Sequence, residues 1–297
     1  MTDTEASLAD LQGLLRLEQL EVNLFRGESR DIGSPQVFGG QVLGQALAAA
    51  SATIEGRVVH SLHAYFLRRG DFNAPIVYQV DRSRDGGSFS TRRVLAIQHG
   101  AQIFSMSCSF QVPETGLDHQ IAMPQVPPPE ELADTARVPE ALLARLPEDR
   151  RRVLEKPRPF VFREVPREAV AEGPGGRASP SRRVWLKAVA PLPDDPALHR
   201  SLLAYVSDYN LLDTATIPHG YRYHYEQMPR KLVIASIDHA VWFHRDLRVD
   251  DWLLYDVYSP NASGSRGFAR ASVFARDGRL VASTAQEGLV RVARQQD

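Results

Sequence analysis

The sequence has little or none of the features that mark several large classes of protein. It holds a single cysteine, Cys108, among 297 residues, which excludes a disulfide framework and a CxxC zinc or redox site. Its 35 basic and 36 acidic side chains leave no overall field to attract nucleic acid or an anionic membrane. No apolar run reaches the roughly 18 residues that a transmembrane helix needs. We therefore expect a globular protein with neither a nucleic-acid nor a membrane partner.

Targeting signals are also absent from the two ends of the sequence. The first 21 residues carry Asp3, Glu5 and Asp10 and lack the basic-then-apolar order of a secretory signal. The last residues do not form a Ser-Lys-Leu peroxisomal signal. Together with the single cysteine, these absences predict a cytoplasmic location.

Several common catalytic motifs are missing as well. A G-x-S-x-G nucleophile turn, an H-E-x-x-H zinc motif and a phosphate-binding P-loop do not occur. This excludes the usual forms of α/β serine hydrolase, zinc protease and P-loop nucleotidase. We expect a reaction without a metal or a cofactor.

A proline-rich middle separates two similar halves of the chain. Between Pro113 and Pro196 lie 15 of the 20 prolines, and proline at that density does not continue helices or central strands. We predict a first unit over residues 1–112, a connection over 113–195 and a second unit over 196–297. Within the connection, the segments 161–165 and 184–188 are expected to be short strands.

Each half has the pattern of helices followed by antiparallel strands. A capping pattern at Ser7 and Asp10 predicts a helix over 7–20, and Asp195-Pro196 is typical of the start of a helix, which we extend to Leu212. Alternating apolar residues predict strands over 76–80, 93–97, 103–110, 233–243, 252–258, 267–274 and 280–290. The fold class is therefore α+β, with one helix-plus-antiparallel-sheet unit in each half.

The two halves also resemble each other residue by residue, which indicates a duplication. The segment His63-Ala64-Tyr65 matches His239-Ala240-Val241, and Tyr78 matches Tyr255. This alignment places Gln45 opposite Asp208, His60 opposite Ser236 and Cys108 opposite Gln286. If the second-half residues of these pairs are the catalytic groups, the first half lacks the carboxylate, which predicts one working site per chain with the first half lining the substrate channel.

Three polar residues of the second half have both a structural and a functional interpretation. At helical spacing Asp208 shares a face with Tyr205 and Tyr209, where a carboxylate is either at a solvated edge or a hydrogen-bonded general base. Gln286 is either a solvated strand residue or an amide that holds water and a carbonyl. Ser236 is either an ordinary strand serine or a residue whose hydroxyl orients a water or bridges to the carboxylate. His239 is interpreted as a packing residue, since its neighbour Asp238 points to the other face.

Six stretches of the sequence resemble the acyl-CoA thioesterase II family, and they span nearly all of the chain outside the proline-rich middle. They are Phe38-Gly39-Gly40-Gln41, residues 61–66, residues 207–212, residues 237–244, Arg266-Gly267-Phe268-Ala269-Arg270 and residues 281–288. The resemblance implies a double hotdog fold, in which two tandem repeats each lay a helix against a curled antiparallel sheet. It implies hydrolysis of medium- to long-chain fatty acyl-CoA by a triad that falls on Asp208, Ser236 and Gln286, with serine where threonine is common.

The resemblance also suggests partners and binding residues. It implies an acyl-CoA substrate and assembly as a homodimer or homotetramer. Backbone N–H groups near Gly39 and Gly40 could stabilise the oxyanion, and Arg266 and Arg270 either meet the CoA phosphates or lie at a solvated sheet edge. Two alternatives are an acyl-CoA hydratase and a non-catalytic acyl-CoA-binding regulator. Hydratases of this fold use an aspartate or asparagine followed five residues later by a histidine, and that pair is missing near Asp208.

Overall fold

A computed structural model of the chain describes residues 2–34, 36–135, 140–144, 147–166, 178–221 and 232–292. Its helices are α1 (Asp3–Leu15), α2 (Gly39–Ser51), α3 (Glu140–Leu143), α4 (Glu148–Glu155) and α5 (Pro196–Val206), with 3₁₀ helices at Pro129–Glu131 and Leu212–His219. The strands of the first half are β1 (Glu18–Glu21), β2 (Leu24–Gly27), β3 (Val58–Phe66), β4 (Ile76–Asp85), β5 (Phe89–Gln98) and β6 (Ala101–Gln111). The later strands are β7 (Phe160–Glu164), β8 (Ser181–Ala188), β9 (Leu232–Ser236), β10 (Asp238–Phe243), β11 (Leu253–Ser263), β12 (Arg266–Ala275) and β13 (Leu280–Val292).

All of these strands form one sheet, in which neighbouring strands run antiparallel. Its order is β1-β2-β4-β5-β6-β3-β10-β13-β12-β11-β8-β7, with β9 paired to β13 beside this path. The halves meet where β3 pairs with β10, with Tyr65 opposite Asp238 and Ser61 opposite Trp242. Because each half places a helix against antiparallel strands, the α+β class predicted from the sequence is confirmed.

Helices α2 and α5 pack against each other, and α2 also lies against strands β3 to β6. Helix α2 is apolar and alanine-rich, and almost all of its residues are buried, so it is a core helix and not a surface one. Along β12 the buried residues alternate as Gly267, Ala269, Ala271 and Val273, which is the pattern of a strand with one face on a core. This core is continuous through both halves.

Three predicted helix boundaries are wrong. The helix predicted over 7–20 ends at Leu15, and Glu18–Glu21 form strand β1. Helix α1 begins after Thr2, whose side chain forms a capping box with Glu5, so the cap is not at Ser7. Helix α5 begins at Asp195-Pro196 as predicted, since Asp195 accepts hydrogen bonds from the first-turn amides, but it ends at Val206 and not at Leu212. The chain turns there because Asn210 takes a left-handed conformation, with φ of 60°.

The segment 233–243 is two strands and not the single strand predicted. It breaks at Ile237, whose N–H donates to Glu287 O and whose carbonyl accepts from Phe66 N, so this residue links β13 to β3. Strand β9 ends at Ser236, which lies opposite Gly288 on β13, and β10 begins at Asp238. The break is a one-residue bulge, which re-aims the side chains beside it.

The strands expected in the proline-rich connection are present and belong to the second half. Strand β7 pairs with β8, and β8 pairs with β11, so the sheet of the second half already begins at Phe160 and the division at 196 leaves out two of its strands. The glycine-rich segment 173–176 and Pro35 lie outside the described residues. None of the helices in the described ranges combines the length and the hydropathy needed to cross a membrane.

The pairing registers also correct the alignment of the halves. Strand β3 also has a one-residue bulge, which follows Val59. Val59 pairs with Phe110, and the residue before the bulge in the second half, Ser236, pairs with Gly288. Cys108 lies two residues before Phe110, and Gln286 lies two residues before Gly288. The predicted correspondence of Cys108 with Gln286 is therefore retained. The counterpart of Ser236 is then Val59 and not His60.

The same bulge changes the partner of His239. Leu62 pairs with Cys108, and it is buried like His239, whereas His63 is exposed on the other face of β3. His239 therefore corresponds to Leu62, one residue before the histidine that the sequence comparison chose.

Candidate active site

Asp208 lies in the turn that follows helix α5, two residues after the helix ends at Val206. The neighbouring Ser207 closes the helix, because its hydroxyl donates to Ala204 O at 3.0 Å. The side chain of Asp208 is nevertheless only 6% exposed. The helical face predicted for this residue is thus wrong, but the expected burial beside Tyr205 and Tyr209 is correct.

Both oxygens of the Asp208 carboxylate are hydrogen-bonded. Oδ1 accepts from Gln286 Nε2 at 2.7 Å, and Oδ2 accepts from the backbone N–H of Gly40 at 2.9 Å. Gly40 is in the first turn of α2, a helix whose N-cap residue Phe38 offers no side-chain cap. A carboxylate of the second half therefore caps a helix of the first half, at the end where the helix dipole favours negative charge.

Gln286 joins the carboxylate to Ser236. From its place on β13 the amide nitrogen donates to Asp208 Oδ1 and also to Ser236 Oγ, the latter at 3.0 Å. An amide nitrogen has two protons, so both are used. Ser236 accepts one of them and keeps its own hydroxyl proton to donate. The structure thus brings together the three residues predicted as a triad.

Two glycines allow α2 to approach this site. A Cβ atom on Gly39 would lie 2.8 Å from Asp208 Oδ2, and one on Gly40 would lie 2.2 Å from Tyr205 O. Both residues therefore allow the backbone of α2 to lie against the site, and the substrate contact predicted for them stays a prediction. The Gly40 N–H is engaged by Asp208 in this geometry, so it is not a free oxyanion donor.

His239 lies beside Asp208 and is the residue that sequence reasoning took for packing alone. Its ring is completely buried, with Nδ1 3.9 Å from Asp208 Oδ1 and Nε2 2.9 Å from Ser207 Oγ. Burial lowers the pKa of His239, although the Asp208 charge acts in the opposite direction. The alternation of β10, in which Val241 and Phe243 are also buried, was the signal that could have placed this histidine on the core face.

Its neighbour Asp238 has a separate role, as the alternation predicted. The carboxylate of Asp238 accepts a hydrogen bond from Glu287 N at 2.6 Å. Burial raises the pKa of Asp238, and that backbone hydrogen bond opposes the shift. Asp238 therefore supports the junction of β10 and β13 and is not one of the groups that contact Asp208.

Aromatic rings surround the carboxylate on the helix side. The rings of Phe38 and Tyr209 are 4.5 Å apart between centroids, and those of Phe38 and Tyr205 are 5.2 Å apart. Phe162 also packs on Tyr209. Burial raises the pKa of Tyr205 and Tyr209, so both are neutral phenols. The site thus combines a few polar atoms with an apolar wall that draws on both halves.

Arg266 and Arg270 lie on the opposite face of the sheet. Both are exposed on β12, whereas Ala269 between them is buried opposite Gln286. Arg266 forms an ion pair with Glu287 at 2.9 Å, and the guanidinium of Arg270 lies 5.9 Å from the ring centroid of Tyr258. The structure does not bring either arginine to the carboxylate, and a contact with CoA phosphates stays a prediction.

The first half has different chemistry at the matching place. Asp208 follows the end of α5 by two residues, and Thr53 follows the end of α2 by two, so Thr53 and not Gln45 is its counterpart. Gln45 is a buried structural residue inside α2, where its amide donates to Leu14 O and Glu28 O and accepts from Tyr78.

Cys108 is a buried thiol, as predicted, and burial raises its pKa to about 12. Opposite it on β5 lies Arg92, which is 2% exposed and donates to Thr53 Oγ1 at 2.8 Å. Within the described ranges, no group of three His, Cys, Asp or Glu side chains is arranged to hold a metal ion. A metal-free reaction stays a prediction.

Comparison with known proteins gives consistent matches over nearly the whole chain. Residues 26–111 match a family described as acyl-CoA thioesterase N-terminal domain, and residues 158–289 match one described as acyl-CoA thioesterase. Acyl-CoA thioesterase 2 of Haemophilus influenzae is 41% identical over 286 residues, which are 96% of this chain and 98% of that protein.

Solved structures agree with these matches. The crystal structure of an acyl-CoA thioesterase II, TesB2, from Mycobacterium marinum has a TM-score of 0.78 at 44% identity and covers 97% of this chain and 99% of its own. A protein with a hot dog fold from Alicyclobacillus acidocaldarius, at 19% identity, has a TM-score of 0.73 over 96% of this chain and 99% of its own. The latter likeness concerns the fold alone.

Proposed function

The chain belongs to the acyl-CoA thioesterase II family and has its double hotdog fold, and from that premise we propose that it hydrolyses medium- to long-chain fatty acyl-CoA to a free fatty acid and CoA. The observation that carries this proposal is the hydrogen-bonded set of Asp208, Gln286 and Ser236, with Gln286 Nε2 within 3.0 Å of both partners. These are the positions on which the family resemblance places the catalytic groups.

Asp208 is the general base of this reaction. A water molecule gives a proton to the carboxylate while its oxygen forms a bond to the thioester carbonyl carbon. The tetrahedral intermediate then expels CoA by breaking the C–S bond, and the thiolate takes the proton that Asp208 holds, which releases the thiol and restores the carboxylate. The burial of Asp208 supports this role, since the surrounding rings keep other water away from the reacting atoms.

Ser236 and Gln286 act on the geometry and charge of the same step. Because Ser236 Oγ accepts from Gln286, its own proton is left to donate to the carbonyl oxygen as negative charge develops there. Gln286 holds the base and this donor at a constant separation. We place the acyl chain against the aromatic wall of Phe38, Tyr205 and Tyr209, where the two halves meet.

The test is the release of free CoA thiol from a panel of acyl-CoA esters of different chain length. We expect metal-free turnover that is highest for medium to long chains and strongly reduced in Asp208→Asn. Binding of acyl-CoA without thiol release across the panel would favour a non-catalytic acyl-CoA-binding protein. Activity that a chelator abolishes and zinc restores would contradict a metal-free mechanism.

Three further properties belong to the same proposal. We infer a role in fatty acid metabolism from the proposed substrate and a cytoplasmic location from the single cysteine. We also propose a homodimer or homotetramer, because β1 and β7 are edge strands of the sheet and such edges need covering. Light scattering at working concentration tests the assembly, and a monomeric mass would contradict it.

A further inference from the structure

Two buried polar atoms at the candidate active site have no part in the reaction described so far. They are Nδ1 of His239 and Oε1 of Gln286, and among the described residues neither has a hydrogen-bond partner. Buried polar atoms are normally paired, because leaving them unpaired costs free energy. Both atoms belong to side chains that lie beside Asp208, which points to a ligand as their partner.

The contacts of Ser207 determine which ring nitrogen of His239 carries the proton. The Ser207 hydroxyl has one proton and lies 3.0 Å from Ala204 O, which can only accept it. Its other contact, with His239 Nε2 at 2.9 Å, must then be a hydrogen bond in which Nε2–H donates to Oγ. The neutral ring is therefore protonated at Nε2, and Nδ1 presents a lone pair.

This lone pair faces the base. Nδ1 and Asp208 Oδ1 are 3.9 Å apart, so two acceptors oppose each other at a distance too long for a direct hydrogen bond. A donor with two protons resolves this arrangement. For a water oxygen about 2.8 Å from both atoms, the angle between Nδ1, the oxygen and Oδ1 would be roughly 90°, near the angle between the two O–H bonds of water.

We propose that His239 Nδ1 is the second acceptor for the attacking water, so that water gives one hydrogen bond to Asp208 and one to His239. This assignment rests on the proposed thioesterase function. When both O–H bonds are held, the lone pairs of the water point away from the two acceptors and towards the thioester. The water then loses less rotational freedom in the transition state, because its orientation is already set. Burial keeps the imidazole neutral and therefore able to accept.

A purely structural role for His239 predicts different behaviour, and two substitutions separate the two roles. His239→Asn can place its Oδ1 near the position of Nδ1 but loses the contact with Ser207. His239→Gln can place a donor near Nε2 but removes the acceptor beside Asp208. His239→Leu removes both, and it introduces the residue found at Leu62, the matching buried position of the first half.

The experiment measures kcat and KM for acyl-CoA hydrolysis in the three variants, after circular dichroism and thermal melting have compared their folding with the unmodified chain. We expect Leu and Gln to lower kcat about tenfold or more with little change in KM, since one hydrogen bond in the transition state is lost. Asn should recover most of that loss. Rescue by Gln but not Asn, equal losses in all three variants or undiminished kcat in Leu would each overturn the proposal.

A measurement on the unmodified protein remains decisive if a variant does not fold. Nitrogen-15 NMR of the histidine ring should show His239 protonated at Nε2 and bare at Nδ1 at neutral pH. A proton on Nδ1 would overturn the assignment. These outcomes differ from failure of the thioesterase proposal, in which the unmodified chain itself releases no thiol from any acyl-CoA.

Discussion

The two halves of the molecule share one frame and differ in what fills its centre. Both have a buried helix against antiparallel strands, both have a one-residue bulge, after Val59 and after Ser236, and both bury a tyrosine at the same place. Tyr78 donates to Gln45, and Tyr255 donates to Ser207 O. The scaffold was therefore retained in both copies of the repeat.

In the first half, the polar groups around Arg92 satisfy one another. The guanidinium of Arg92 donates through Nε to Thr53 Oγ1, through Nη2 to Asp85 and through Nη1 to backbone carbonyls. Ala269 stands at the matching place in the second half, so no guanidinium fills the space beside Asp208. The comparison teaches that the proposed site lies in the half where buried lone pairs beside a carboxylate are left without a partner among the described residues, whereas the matching place in the first half is filled by a paired arginine.

The largest effect that would sharpen this comparison is loss of the base. Asp208→Asn keeps the size of the side chain and should lower kcat by about 10²–10⁴-fold, because a positioned general base contributes that much. The matched control is Thr53→Ala at the first-half counterpart, which should leave kcat near that of the unmodified chain. Thiol release under saturating acyl-CoA measures both. If Asp208→Asn kept near-full turnover while Thr53→Ala lost it, the active site would lie in the first half and not, as proposed here, in the second.

Removal of the amide that holds base and serine together should have the next largest effect. We expect Gln286→Ala to lower kcat on the order of 10²-fold, since loss of a preorganised donor at a reacting centre costs that much. Cys108→Ala, at the matching strand position of the first half, should leave kcat almost unchanged. The same thiol assay compares them, and equal losses would break the distinction between the halves.

The first half should respond in stability where the second responds in activity. Arg92→Met removes several buried hydrogen bonds and should lower the free energy of unfolding by about 1–3 kcal/mol. The folded variant should keep its kcat. Urea denaturation measures the change, with exposed Arg93→Ala as control. A variant as stable as the unmodified protein would show that the arginine network does not hold the first half together.

Burial of His239 predicts that the free energy of unfolding depends on pH through this position, whereas its first-half counterpart, Leu62, carries no titratable group. Burial lowers the pKa of His239 below its ordinary value of about 6.5. As the pH falls, this histidine is therefore protonated in the unfolded chain at a higher pH than in the folded chain. The free energy of unfolding should therefore fall as pH decreases below about 6.5. His239→Leu should reduce the slope without abolishing it, since burial also lowers the pKa of His60, His199 and His244. Denaturant titrations between about pH 5 and 7 give the slope.

The smallest effect should come from changing Ser236 to the residue common in the family. Ser236→Thr keeps the hydroxyl and should leave kcat within about threefold, a change near the limit of a single weak contact. Ser236→Ala removes the hydroxyl and should lower kcat more, which makes it the control. If both variants behave alike in the thiol assay, the hydroxyl has no role in the reaction.

Local chemistry made much of the fold predictable. The Asp195-Pro196 pair is a cap and first-turn signal, and it correctly begins α5. The end of that helix was missed, because the left-handed Asn210 that redirects the chain is not preceded by a glycine or proline signal. The triad residues were found through the family resemblance and not through spacing, since spacing put Asp208 inside a helix.

The remaining errors concern bulges and contacts between distant residues. A one-residue bulge leaves no clear trace in apolar alternation, and it shifted the match of His239 from Leu62 to His63. The hydrogen bond from Gly40 to Asp208 joins residues of different halves, so no local pattern reports it. Once the register is known, the burial of His239 follows from the alternation of β10.

The pairing of β3 with β10 has a consequence for how the protein is made. While the ribosome is still synthesising the residues between Tyr65 and Asp238, a first half that has already folded would expose β3 as an open edge, ready to pair with another nascent chain. The same interval leaves the N-terminus of α2 without the carboxylate that caps it. The proposed site is therefore complete only after β13 has paired with β10 and Gln286 has reached Asp208.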